Sequence, residues 1–355
     1  MRCCILVLSA LLASRAVIAA ANCREVIVSN ESSGDVAIVD PGLRKVIARI
    51  PVGTRPRGMA LSPDRERLFV AISGKGADGI GVVDLSARRL ARIFKGVSDP
   101  KRVAVSADGN RLFVASEGQK QVVMLDANSG ADLARTTVGA DTEGVDLGPA
   151  GIWVYATSEA ENRLTVLDAR SAVLLARIAV GSRPRSIAFS PDGLRAYVAN
   201  EASANISVID TAGLRRVRNI ALPDDRMPMR IAVSPAGSTL YVSTGRGREI
   251  LAIDPRSAHV KARADSGARP RGLAMSPDGA ELYVANGPSN DLSIFELPRL
   301  RLRARIQAGE KPWGVVCRDN WWSREDLADP VTRLSRTDPL EMVEREGIEP
   351  STPAL

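Results

Sequence analysis

Apolar and polar residues alternate in short runs along most of this chain, and each run is closed by a turn signal. Period-two runs of this length between Gly, Pro, Asp and Ser clusters predict half-buried β-strands. Nothing comparable carries helical spacing. Four kinds of segment recur in constant order. A short apolar run opens each unit, as in RPRGMALSPD (55–64), RPRSIAFSPDG (183–193) and RPRGLAMSPDG (269–279), and leads into a Ser-Pro-Asp-Gly turn. There Pro presets φ, Asp bonds its own backbone and Gly takes the left-handed position. An apolar strand follows, for example RLFVAI (67–72), RAYVAN (195–200) and LYVAN (282–286). The third alternates and ends in an acid, as in DVAIVD (35–40) and NISVID (205–210). The fourth alternates again, as in LLARIAVG (174–181).

The turn residues Ser62, Ser106, Gly148, Ser190, Ser234 and Ser276 stand 42 to 44 residues apart. That period matches one four-stranded blade of a β-propeller. The third-strand motif occurs seven times. The first-strand motif occurs six times and then once more at KPWGVVC (311–317). The first unit therefore lacks its inner strand, and the C-terminal segment supplies one. The expected fold is all-β: a seven-bladed β-propeller of four-stranded antiparallel blades, closed by the C-terminal strand completing the first blade. Closure removes the open sheet edges. Residues 22–317 form this domain. By repeat alignment Cys317 occupies the place of Met275 and Cys23 that of Gly279, two positions flanking one hairpin, so a Cys23–Cys317 disulfide is expected to lock the ring.

The two ends fall outside the repeat. Arg2, the apolar Cys3–Leu12 stretch and Ala19–Ala21 read as a signal peptide over 1–21. The apolar stretch is too short to span a bilayer, so a periplasmic or secreted monomer without a transmembrane segment is expected. Residues 318–355 lose the alternation and are expected to be a disordered or spurious tail.

The net charge of +7, from 48 Lys and Arg against 41 Asp and Glu, is spread along the chain. Export and the lack of aromatics interleaved with basic residues exclude nucleic acid as a partner. Catalytic material is sparse. His259 is the one histidine, and no metal-ligand cluster, haem motif, phosphate loop or nucleophile elbow is present. The acids ending the third strands, Asp40, Asp84, Asp126, Asp168, Asp210, Asp254 and Glu296, are expected to bond turn amides.

The start of the inner strand is more informative, because inner strands of a propeller line its channel. Around the ring the residue beside the strand-opening Pro reads Trp313, Arg57, Lys101, Glu143, Arg185, Met229, Arg271. The residue on the other side of the Pro position reads Lys311, Arg55, Asp99, Asp141, Arg183, Met227, Arg269. Arg55, Arg57, Lys101, Arg183, Arg185, Arg269, Arg271, Lys311 and Trp313 are thus expected to form a basic channel mouth, with an acidic sector at Asp99, Asp141 and Glu143. Convergent cations over a concavity attract a small anionic ligand or an acidic protein partner. Deeper in, the inner strands read as small and apolar.

The strands Tyr197-Val198-Ala199-Asn200 and Tyr283-Val284-Ala285-Asn286, with the Ser-Pro-Asp-Gly turns, resemble the YVTN family of β-propeller repeats. The signal peptide, the seven units and the closing Lys311-Pro312-Trp313-Gly314 segment resemble, more narrowly, the PQQ-dependent catabolism-associated β-propeller proteins. The resemblance covers about residues 24–317. The degenerate unit at Glu143–Gly151 departs from the pattern. What the resemblance implies is a periplasmic accessory protein of quinoprotein alcohol oxidation, with a quinoprotein dehydrogenase or cytochrome as partner, no cofactor and no catalytic motif of its own. The alternative is a propeller enzyme such as a lactonase-like hydrolase or a dehydrogenase subunit.

Overall fold

The computed structural model describes residues 23–74 and 76–319. The expected signal peptide, 1–21, and residues 320–355 of the expected tail lie outside them. The described chain forms seven four-stranded antiparallel sheets. Blade 1 has the order Pro312–Asp319, Cys23–Asn30, Asp35–Asp40, Lys45–Pro51, so the last strand is its innermost. Blades 2 to 7 open with inner strands Pro56–Leu61, Pro100–Val105, Thr142–Leu147, Pro184–Phe189, Pro228–Val233 and Pro270–Met275. Each inner strand touches the next, and that of blade 7 touches Pro312–Asp319 to complete the circle. The closing strand runs two residues past the expected boundary. There Arg318 pairs with Glu25 at 2.7 Å and Asp319 with Arg65 at 3.0 Å. The Cys23 and Cys317 sulfurs are bonded across the same pair of strands, with Cα atoms 5.5 Å apart.

Blade stacking explains the apolar runs. Second and third strands are covered on both faces by neighbouring blades, so Arg67–Ile72 and Gln121–Asp126 are buried nearly throughout. Outer strands meet solvent on one face and alternate, as Leu174–Ala179 does. Phe69, Phe113, Tyr155, Tyr241 and Tyr283 fill the space between blades, each contributing about 1.5–3 kcal/mol of apolar burial.

Two repeated polar residues explain the motif. The turn serine closes the first hairpin twice over: Ser62 N–H donates to Arg67 O at 2.9 Å, and its Oγ accepts from Arg67 N–H at 2.9 Å. The same pair recurs at Ser106, Ser190 and Ser276. The strand-ending asparagine is fully buried. Asn286 Nδ2 donates to Asp291 at 2.6 Å and to Ser293 at 2.9 Å, while its Oδ1 accepts from Ser266 of the preceding blade at 2.7 Å. Asn30 likewise reaches Ala308 O of blade 7 at 3.0 Å. A buried amide bonded in this way fixes register within a blade and joins it to its neighbour; only Asn286 uses its oxygen as well, since Oδ1 of Asn30 and Asn200 has no partner.

Among the third-strand acids, Asp40, Asp84, Asp126, Asp168 and Asp254 accept turn amides at 2.7 to 3.0 Å. Asp210 and Glu296 pair with arginines instead. His259 lies exposed just before an outer strand. No cluster suited to a metal ion occurs among the described residues, and no helix there is long and apolar enough to cross a membrane.

Candidate functional site

The inner-strand starts converge on one mouth of the central channel. There a concavity of about 360 Å³ is lined by Arg57, Lys101, Arg185, Arg271 and Trp313, among others. The backbone at this rim is built alike in six of the seven blades, Met227 of blade 6 being the exception. Arg55, Asp99, Asp141, Arg183, Arg269 and Lys311 all have φ between 43° and 55°. This left-handed turn aims each carbonyl at the amide that follows the second strand, as in Glu201 N–H to Arg183 O at 2.9 Å and Glu31 N–H to Lys311 O at 2.9 Å.

That accepted amide belongs to a position the sequence analysis did not single out. It is occupied by Glu31, Ser73, Glu117, Glu159, Glu201, Gly245 and Gly287. Four glutamates therefore enter the mouth directly behind the motif's last residue, and they neutralise many of the expected cations. The repeated Asn-Glu and Ser-Glu pairs at 30–31, 116–117, 158–159 and 200–201 were the available signal.

The expected site residues divide into two groups. On blades 7, 1 and 2, Arg55, Arg57 and Arg271 converge on Glu31 at 3.4, 3.2 and 3.5 Å. Arg269 and Lys311 are exposed, with no carboxylate within salt-bridge distance among the described residues. Burial raises the Glu31 carboxyl, but the three guanidiniums outweigh it and hold the group below the usual range. Burial, and next Arg269, lower Arg271. The Nε atoms of Arg57 and Arg271 are buried without a partner.

On blades 3 to 5 the balance reverses. Lys101, buried at 6% side-chain exposure, is held by Asp99 at 2.9 Å and Glu117 at 2.8 Å. Arg185 meets Glu143 at 3.5 Å, Glu201 at 2.5 Å and Glu159 closer still. Arg183 adds bonds to Glu159 at 3.1 Å and Glu201 at 3.7 Å. Arg183 and Arg185, counted with the basic blades on sequence grounds, are instead consumed by carboxylates. Burial, then the neighbouring Glu143 charge, push Glu159 up to about 7 against the pull of Arg185 and Arg183. The mouth is therefore polarised, cationic over blades 7, 1 and 2 and acidic over blades 3 to 5.

The channel interior also departs from expectation. It is not purely small and apolar: Arg102, Asp146 and Arg230 line it below the mouth. Trp313 lies under the Arg102 guanidinium, 5.2 Å from carbon to ring centroid.

The family described as Lactonase, 7-bladed beta-propeller, matches residues 138–301, from the end of blade 3 into the last strand of blade 7. No curated protein sequence matches this one. Among solved structures, hydrazine synthase of Kuenenia stuttgartiensis is 21% identical, with 74% of this chain and 89% of that one covered and a TM-score of 0.67. A candidate 6-phosphogluconolactonase of Bacteroides uniformis is 18% identical, with 82% and 99% covered and a TM-score of 0.67. A protein of unknown function from Desulfotomaculum acetoxidans is 16% identical, with 83% and 99% covered and a TM-score of 0.72. At these identities the likeness is one of fold, and the fold it supports is the one the strands describe: this chain is a seven-bladed β-propeller, similar over its central and later blades to lactonases.

Proposed function

We propose that this chain is an exported binding propeller that takes an anionic ligand, or an acidic segment of a partner protein, at the cationic half of its channel mouth. The observation that carries this reading is the cluster at blades 7, 1 and 2, where three guanidiniums share one half-buried carboxylate, two further cations have no carboxylate partner among the described residues, and two buried guanidinium Nε atoms lack partners. Desolvated cations of one sign over a concavity raise the local potential and bind carboxylates bidentately. The YVTN-type repeats and the resemblance to PQQ-dependent catabolism-associated propellers support a periplasmic accessory role beside a quinoprotein dehydrogenase or its cytochrome. The test is a pull-down from periplasmic extract with the wild-type chain and an Arg55/Arg269/Lys311→Glu variant, at low and moderate salt. These three side chains are exposed, so reversal gives up the outer Arg55–Glu31 pair but leaves Arg57 and Arg271 on Glu31. A partner captured by the wild type and lost in the variant is the expected result. Equal capture by both overturns the cationic docking face.

A lactonase-like hydrolase is the second reading, favoured by the family match and by Glu159. A carboxyl poised near 7 beside Arg183 and Arg185, at a concave mouth, has the protonation range of a general base or acid. Turnover of a panel of sugar and aliphatic lactones, lost on Glu159→Gln, would favour this reading over the first.

A further inference from the structure

One position inside each rim residue, the inner strands carry Gly314, Gly58, Arg102, Gly144, Ser186, Arg230 and Gly272 in ring order. The glycines let adjacent strands approach closely. A Cβ on Gly58 would lie 2.7 Å from Lys101 O and 2.8 Å from Arg102 Cα, and one on Gly272 would lie 2.7 Å from Trp313 O. Within this tight collar the two arginines on blades 3 and 6 are the long side chains. Both line the mouth concavity and also a lower cavity of about 230 Å³. Besides Arg102, Asp146 and Arg230, the residues lining the lower cavity are aliphatic, among them Ala60, Leu61, Ala104, Val105 and Leu147.

The two guanidiniums are unpaired. Among the described residues neither makes a side-chain hydrogen bond or lies within 4 Å of a carboxylate, and each has a buried Nε without a partner. Removal from bulk water, followed for Arg230 by the Arg102 charge, opposes ionisation of both; Arg102 is brought down to about 10 and Arg230 is held well below its ordinary range. Asp146 is the carboxylate beside them in the lower cavity, and burial raises it above the usual range. The next carboxylate whose field reaches them, Glu143, is engaged by Arg185 at 3.5 Å. Two partly buried cations facing one carboxylate leave the site one negative charge short, and withdrawing an unpaired cation from water is costly.

We infer that the channel binds the carboxylate of a small monocarboxylic acid between Arg102 and Arg230, with its aliphatic body directed into the Ala- and Leu-lined lower cavity. A carboxylate offers two acceptor oxygens to two guanidinium forks, and its single charge balances the site. Trp313, stacked on Arg102, holds that guanidinium in place. This site opens into the same mouth concavity as the docking face proposed above but uses none of the exposed rim cations.

The test is calorimetric titration of the full-length chain with butyrate, butanol and inorganic phosphate. Saturable one-to-one binding of butyrate is expected, stronger than phosphate and absent for butanol. Arg102→Gln and Arg230→Gln should each weaken it by at least about tenfold. Asp146→Asn removes the competing carboxylate and should tighten it. Arg102→Lys keeps the charge but loses the fork and should fall between, which provides a readout if the Gln variants fold poorly. The Arg55/Arg269/Lys311→Glu variant should retain butyrate binding even where it loses partner capture. No saturable binding, unchanged affinity in both Gln variants, or phosphate binding as tightly as butyrate would each overturn the assignment.

Discussion

Glu31 and Arg185 occupy opposite sides of the channel mouth in inverted circumstances. Glu31 is one carboxylate among Arg55, Arg57 and Arg271. Arg185 is one guanidinium among Glu143, Glu159 and Glu201. The geometry is alike but the chemistry is not. Around Glu31 the surplus charge is cationic, and an arginine does not lose its proton at neutral pH, so the surplus persists and can attract an anion. Around Arg185 the surplus is anionic, and a crowded carboxylate can relieve it by taking a proton, as the elevation of Glu159 to about 7 shows. One half of the mouth therefore keeps a fixed charge. The other half adjusts its charge within the physiological range.

The comparison breaks most sharply at Arg185. Arg185→Met leaves three carboxylates facing one another, with only the exposed Arg183 to balance them, and should destabilise the fold by about 3–5 kcal/mol at pH 8. The loss should shrink in thermal melts toward pH 5, where the glutamates can protonate. An unchanged melt at pH 8 would mean that the acidic cluster does not depend on this hub. Glu31→Gln should cost less, about 1–3 kcal/mol, because its arginines can turn outward to water. Its sign with pH is opposite in origin. A depressed folded-state carboxyl contributes stability above its unfolded value of about 4.5, and that contribution is lost as pH falls through the lower folded value. Wild type and variant should therefore differ at pH 7 and converge once the pH falls below the depressed folded-state value.

Glu159→Gln sharpens the contrast in the other direction. A carboxyl raised from 4.5 to about 7 makes the folded state bind the extra proton between those values. Stability is therefore lost as pH rises through that window, and the penalty is complete above it. The variant should melt higher than wild type by about 2 °C at pH 8 and show no gain at pH 5. A gain that did not vary with pH would place the effect in packing instead. The smallest effect belongs to Arg183→Ala. Its side chain is 51% exposed, against 13% for Arg185, so its two ion pairs should be worth at most about 1 kcal/mol in denaturant titration.

The repeat was legible because each of its marks is a local requirement. Ser62, Asp64 and their equivalents close one hairpin, and buried second strands must be apolar whichever blade they belong to. The rim position of Arg57, Arg185 and Arg271 followed from the same alignment. Their partners did not, because Glu31 belongs to blade 1 while Arg57 and Arg271 belong to blades 2 and 7. Arg102 and Arg230 interrupt a column of mostly glycine in the repeat but passed as part of small, apolar inner strands, because their departure gains meaning only where two non-adjacent blades face one channel. Lys101 illustrates the cost of reading a cation alone, since Asp99 and Glu117 hold it almost completely buried.

The sequence by itself determined the number of blades, the order of their strands and the strand that closes the ring, because period, turn chemistry and alternation act over a few residues at a time. The tertiary structure decided which charges remain free. Ion pairing at the mouth depends on distances between side chains of different blades, and those distances exist only once seven separately encoded sheets have packed around a common axis.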